Sequence, residues 1–196
     1  MGTGEPGGGG GGGGRLTPQT VNVKGSLTST LGPQVAAAIR NLSPSCQKFF
    51  NSLPGGLSAL SGCVSSLQLF NASSPTGEGG WAASSVLTGA PDVSLYNWIQ
   101  SLAPNGATAA AVLSNSEGIS NGVVISSFFN LYNSQWQGAV LVHEASHYAY
   151  QMNDAQLYNA VLQFNPGFNP ANYGSPAATS ADQKYTVFLA KGCPEN

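Results

Sequence analysis

His143-Glu144-Ala145-Ser146-His147 uses both histidines of the chain, four residues apart, with a glutamate directly after the first. On an α-helix, positions four apart share one face, so both imidazoles can reach a single metal ion. Glu144 is rotated by ~100° from His143 and by ~60° from His147. It flanks such an ion instead of competing as a ligand, and it faces any water held there. Two imidazoles favour zinc or another late first-row ion. Zinc lowers the pKa of its water to about 7, and a carboxylate beside it serves as general base. This is the HExxH arrangement, and it predicts peptide-bond hydrolysis with one zinc ion per chain and Glu144 as the catalytic residue.

The charge distribution supports a cation at this place. Between Lys48 and Lys184 there is no Lys or Arg, while Glu78, Asp92, Glu117, Glu144, Asp154 and Asp182 all fall in that interval. A carboxylate inside the apolar run "AVLVHEASHYAY" has no basic residue nearby in sequence to pair with, and an unpaired buried charge is costly.

A catalytic zinc takes three protein ligands and keeps one open position, so a third ligand is required. The longer HExxHxxGxxH pattern is absent, because Tyr150 stands at its glycine and Asn153 at its last histidine. The only later glutamate is Glu195, near the C-terminus. Two aspartates remain. Asp154 lies seven residues after His147, where a break in the helix lets the chain fold back over the metal, with Asn153 as the residue able to adopt a left-handed turn. Asp182 opens the last helix and is the weaker candidate. Each also has a plain reading, Asp154 as a helix cap and Asp182 as a dipole partner. Tyr158, Tyr173 and Tyr185 are weak candidates for a hydroxyl in the site, with packing as the alternative.

HExxH followed shortly by an aspartate resembles the scheme of the aspzincins, the deuterolysin-like zinc endopeptidases. The terminal "SADQKYTVFLA" is similar to the Asn-Ala-Asp-x-Tyr helix that closes that family. The chain equally resembles zincin-like bacterial proteins that run from a Cys-containing helical start, through a strand before the HExxH helix, to a cysteine near the C-terminus. The likeness extends from about Ser43 to Cys193, and HExxH is its specific part. The Gly-Thr-x-Asp-x-x-Tyr-Gly run of the aspzincins does not surround Asp154, where "QMNDAQLYN" stands. The resemblance implies a zincin-type fold, with His143, His147 and Asp154 as ligands and Glu144 as base.

The elements that must position these residues are mostly helices. "PQVAAAIRNL" after Pro33, "SCQKFFNSL" after Ser43-Pro44 and "GLSALSGCVSSLQLF" after Pro54 read as helices, as does "PDVSLYNWIQSL". "ATAAAVLS" and "GVVISSFF" are strand-like and predict a hairpin, with Glu117 in its turn and the second strand available to pair with an extended substrate. Ser134 to Gln137 reads as a capping box opening a helix from Gln135 to about Met152. "AQLYNAVLQF" and "ADQKYTVFLAK" follow as helices, the latter stopping at Gly192. The expectation is an α+β, mainly helical, zincin-like domain over residues 26–196, with a small antiparallel sheet beside the HExxH helix. Residues 1–25 contain Gly7 to Gly14 and read as a linker or leader.

The chain has 196 residues, 41% of them hydrophobic and only 7% charged, with a net charge of −2. That balance offers no electrostatic footprint for nucleic acid, and no apolar run is long enough for membrane insertion. The surface composition and three cysteines suggest a secreted, monomeric protein whose partner is a peptide or protein substrate. Cys46 and Cys193 are the expected disulfide, tying the C-terminal segment to the helical start, with Cys63 a buried thiol. The rival expectation is a non-catalytic metal- or partner-binding module of a larger exported protein.

Overall fold

The computed structural model describes residues 31–64, 69–72, 110–114 and 120–195. The Gly-rich leader, "GEGGW", "PDVSLYNWIQSL" and Glu117 lie outside the described residues.

The fold is mainly helical. Helices α1 (Leu31–Arg40), α2 (Pro44–Asn51) and α3 (Gly56–Cys63) come first. Strands β1 (Leu69–Ala72), β2 (Ala110–Ser114) and β3 (Ser120–Ser126) follow, and then helices α4 (Ser134–Tyr150), α5 (Asp154–Phe164) and α6 (Ala181–Ala190). Ser43 caps α2 by accepting from the Cys46 amide, with Pro44 at the first helical position, as its sequence requires.

The strands form one sheet in the order β1-β3-β2. β2 and β3 are the expected antiparallel hairpin, with Val112 opposite Val123. β1 pairs parallel to β3, so the sheet is mixed and not antiparallel throughout. This corrects two expectations. The helix after Pro54 ends at Cys63, and Leu69–Ala72 of the same run is a strand. β3 is the central strand, and from Val123 to Ile125 it is paired on both sides, so that stretch offers no edge to a substrate. "SFFNL" after it is a short 3-10 turn, not strand.

α4 is the centre of the molecule and packs against α1, α3, α6 and the two hairpin strands. Residues Ala139 to Ser146 are all buried, so this helix meets protein on every side over more than two turns. A helix apolar all round belongs in a core, and the His143-Glu144 pair sits inside that segment. Its cap is Asn133, which accepts from the Trp136 amide, one residue earlier than the sequence suggested. Gln137 instead donates to the Phe129 carbonyl, tying α4 to the turn before it.

The other half of the core is aromatic. Phe49 meets Phe50, Phe164 and Phe188 edge to face at 5.1, 5.5 and 5.0 Å. These contacts fasten α6 to α2 and α5. The Cys46–Cys193 disulfide then closes the C-terminus onto α2, and Cys63 remains a buried thiol outside the disulfide, both as expected. Around the disulfide Ser43 donates to the Gly192 carbonyl, Ser45 to that of Cys193, and Asn165 to that of Pro194. α6 is therefore fixed at its far end by several independent bonds. Among the described residues, no helix is long and apolar enough to cross a membrane.

Candidate metal centre

α4 ends at Tyr150, earlier than Met152, and Gln151 makes the reversal with a φ of 53°. Asn153, expected in that role, has extended backbone and caps α5. Its side chain accepts from the Gln156 amide and Gln156 returns the bond, a capping box that sets Asp154 as the first residue of α5. Asp154 is thus not a cap, and its carboxylate is directed back across the end of α4.

Three ligand atoms converge there. His143 Nε2 lies 3.0 Å from His147 Nε2 and 2.9 Å from Asp154 Oδ1, and His147 Nε2 lies 3.2 Å from the same oxygen. Ligands ~2.1 Å from a tetrahedral ion stand about 3.4 Å apart, so a small outward relaxation admits one. The donor set suits a metal ion in type, number and spacing. No family model, curated protein or solved structure matches this chain.

Both imidazoles are also held from behind. His147 Nδ1 lies 2.6 Å from the Met152 carbonyl, which can only accept, so Nδ1 carries a proton and Nε2 is the nitrogen left to face a metal ion. His143 Nδ1 lies 2.7 Å from Thr186 Oγ1 on α6. Thr186 was not found by sequence reasoning, since a threonine in "YTVFLA" reads as core.

The electrostatics describe groups competing for one proton. Burial disfavours the charged form of His143, but the Asp154 hydrogen bond and the charges of Glu144, Asp182 and Asp154 outweigh it and raise its pKa to about 9. For Asp154, burial is outweighed by the hydrogen bonds from His143 and His147, which hold its carboxyl below the usual range. Glu144 is 6% exposed, and burial raises its pKa. A metal ion held there would replace the proton on His143 and favour the charged form of Glu144.

Asp182 is buried, with Oδ1 3.8 Å from His143 Nε2, but it is not one of the converging three. Burial, and after it the charge of Asp182, push the Tyr132 hydroxyl up to about 12. The tyrosines singled out by sequence sit otherwise. Tyr185 is fully buried against the His143 ring and donates to Ser146 Oγ, which donates to the Val142 carbonyl. Tyr158 lies under the Lys184 ammonium, and Tyr173 packs on Phe168. Glu195 is remote, paired at the surface with Lys48.

Proposed function

We propose that this chain is a zinc-dependent peptidase of zincin type, with His143, His147 and Asp154 holding one zinc ion. The observation that carries the reading is the convergence of two Nε2 atoms and one Oδ1 within 3.2 Å of one another, beside a buried Glu144. A zinc ion bound there supplies Lewis acidity toward a peptide carbonyl and makes water more acidic. Glu144 takes the proton of the attacking water and returns it to the leaving amine. Burial raises its pKa, the direction that suits the return of a proton to the leaving amine. His143 and His147, locked at Nδ1, keep their ring planes fixed while charge develops. The disulfide fits work in an oxidising compartment.

A second reading is a zincin-shaped module that binds metal without turnover. Asp182, 3.8 Å from His143 Nε2, favours it, because a carboxylate so near can close the open position. One experiment separates the two. Purified protein is analysed for zinc and incubated with an unfolded protein substrate, with and without chelator. Hydrolysis that stops on chelation and returns with zinc supports the peptidase. Tight zinc binding with no hydrolysis supports the module, and failure to bind zinc sinks both.

A further inference from the structure

Consecutive residues of α6 grip the His143 imidazole from two directions. Tyr185 meets it edge to face with ring centroids 4.9 Å apart, and Thr186 Oγ1 lies 2.7 Å from Nδ1. All three residues are buried, His143 at 1% and Thr186 at 2% exposure. The contacts differ in what they decide. An aromatic edge limits the tilt of the ring and accepts either tautomer. An oxygen at Nδ1 distinguishes them. A ring nitrogen binds a metal through a free lone pair, so the proton of His143 must sit on Nδ1, where, being buried, it needs an acceptor. Among the described residues, Thr186 is the group hydrogen-bonded to that atom. His147 meets the same need with a main-chain carbonyl, which no substitution removes.

We propose that Thr186 is a positioning residue of the metal centre: its hydroxyl accepts from His143 Nδ1–H and so keeps Nε2 bare and aimed at the point where His147 Nε2 and Asp154 Oδ1 meet. The inference rests on the reading of those three atoms as a zinc site. It also makes α6 part of that site through Thr186, although α6 supplies none of the three converging atoms. The ring is held by a helix whose own end is fixed to α2 through Cys46 and Cys193.

The test uses the full chain with zinc alone as the probe. Valine at this position keeps the shape and removes the acceptor, serine keeps the acceptor and removes a methyl group, and Tyr185→Phe keeps the ring contact. Thr186→Val should weaken zinc binding by about 10- to 100-fold, while Thr186→Ser and Tyr185→Phe stay within about threefold of wild type. In the zinc-loaded protein the Nδ1–H proton of His143 should resonate far downfield in wild type and Thr186→Ser. In Thr186→Val it should move upfield or vanish by exchange. Equal zinc affinity and an unmoved Nδ1–H signal in Thr186→Val would overturn the role, even if the melting temperature falls. His147→Ala serves as the reference: if it binds zinc as wild type does, the cluster is not the zinc site, and the underlying reading fails first.

Discussion

Met152 presents its carbonyl oxygen 2.6 Å from Nδ1 of His147, two residues before the carboxylate that meets the same imidazole at Nε2. One short turn therefore supplies both the group that orients the second histidine and the third candidate ligand. The turn depends on Gln151 at φ 53°, a region in which side chains are strained by roughly 1–2 kcal/mol. Gln151→Gly removes that strain and should stabilise the fold by up to about 1 kcal/mol with zinc affinity retained. Gln151→Val should lower both. Thermal melts and zinc titrations check this, and a lower melting temperature for the glycine variant would contradict it.

Glu144→Gln keeps the volume of the side chain and removes its basicity. Zinc content should persist while hydrolysis falls by about 10²-fold or more. Because the wild-type carboxyl is buried with a raised pKa, a neutral amide costs the fold little there. Equal turnover of the two proteins on the same substrate would remove Glu144 from the chemistry.

Acidity should act in opposite directions on the metal-free fold and on zinc binding. His143 has a pKa raised from 6.5 to about 9, so the metal-free native state holds an extra proton between those values. The contribution of His143 to native stability is fully present below about pH 6.5 and is lost as pH rises through about 9, by up to about 3 kcal/mol. The depressed Asp154 works at the acid end, its stabilisation being lost as pH falls below the ordinary carboxylate range. Zinc competes with the His143 proton, so its apparent affinity should rise with pH and level off above about 9. Denaturant melts of chelated protein and zinc titrations across this range read the two trends. Parallel trends would show that His143 is not the proton-holding ligand.

The Cys46–Cys193 bridge spans 147 residues of sequence, and its loss should cost about 2–5 kcal/mol. Cys63 should stay silent: burial lifts its thiol to about 11 and leaves little thiolate to react. Thiol titration of unreduced protein should find no reactive group when native and one after unfolding. A reactive thiol in the native state would contradict this burial.

What was legible in the sequence was whatever repeats at helical spacing or carries a fixed local signal. His143 and His147 four apart, Ser43-Pro44 as a helix start and the α5 and α6 helices needed no tertiary information. The misread parts all depended on it. Leu69–Ala72 continues an apolar run that suits a helix, and it is a strand because β3 offers it a parallel partner. Asn153 has the better left-handed propensity, yet Gln151 takes that conformation because Asn153 is committed to capping α5. Thr186 meets His143 from 43 residues away, a contact that no local pattern announces.

The choice between Asp154 and Asp182 as third ligand is the prediction with the sharpest consequence. Asp154 Oδ1 contacts both Nε2 atoms, at 2.9 and 3.2 Å, whereas Asp182 Oδ1 comes within 3.8 Å of His143 alone. The ligand atoms of one tetrahedral ion stand at similar distances from one another, and Asp154 Oδ1 comes near that condition where Asp182 does not. Asp154→Ala should therefore weaken zinc binding by orders of magnitude. The protein should stay folded, because Asn153 and Gln156 still cap α5, although it loses the charge at the helix start, about 0.3–1 kcal/mol, and the hydrogen bonds to the two imidazoles. Asp182→Asn keeps the buried volume and removes a charge that acts on His143 from a greater distance, so zinc affinity should change less than about tenfold. Cobalt-substituted protein supplies a second reading, since replacing a ligand alters the visible spectrum and replacing a neighbour shifts it little. If the spectrum and affinity collapse in Asp182→Asn and survive in Asp154→Ala, the two aspartates exchange roles, and the turn at Gln151 serves the fold instead of the metal.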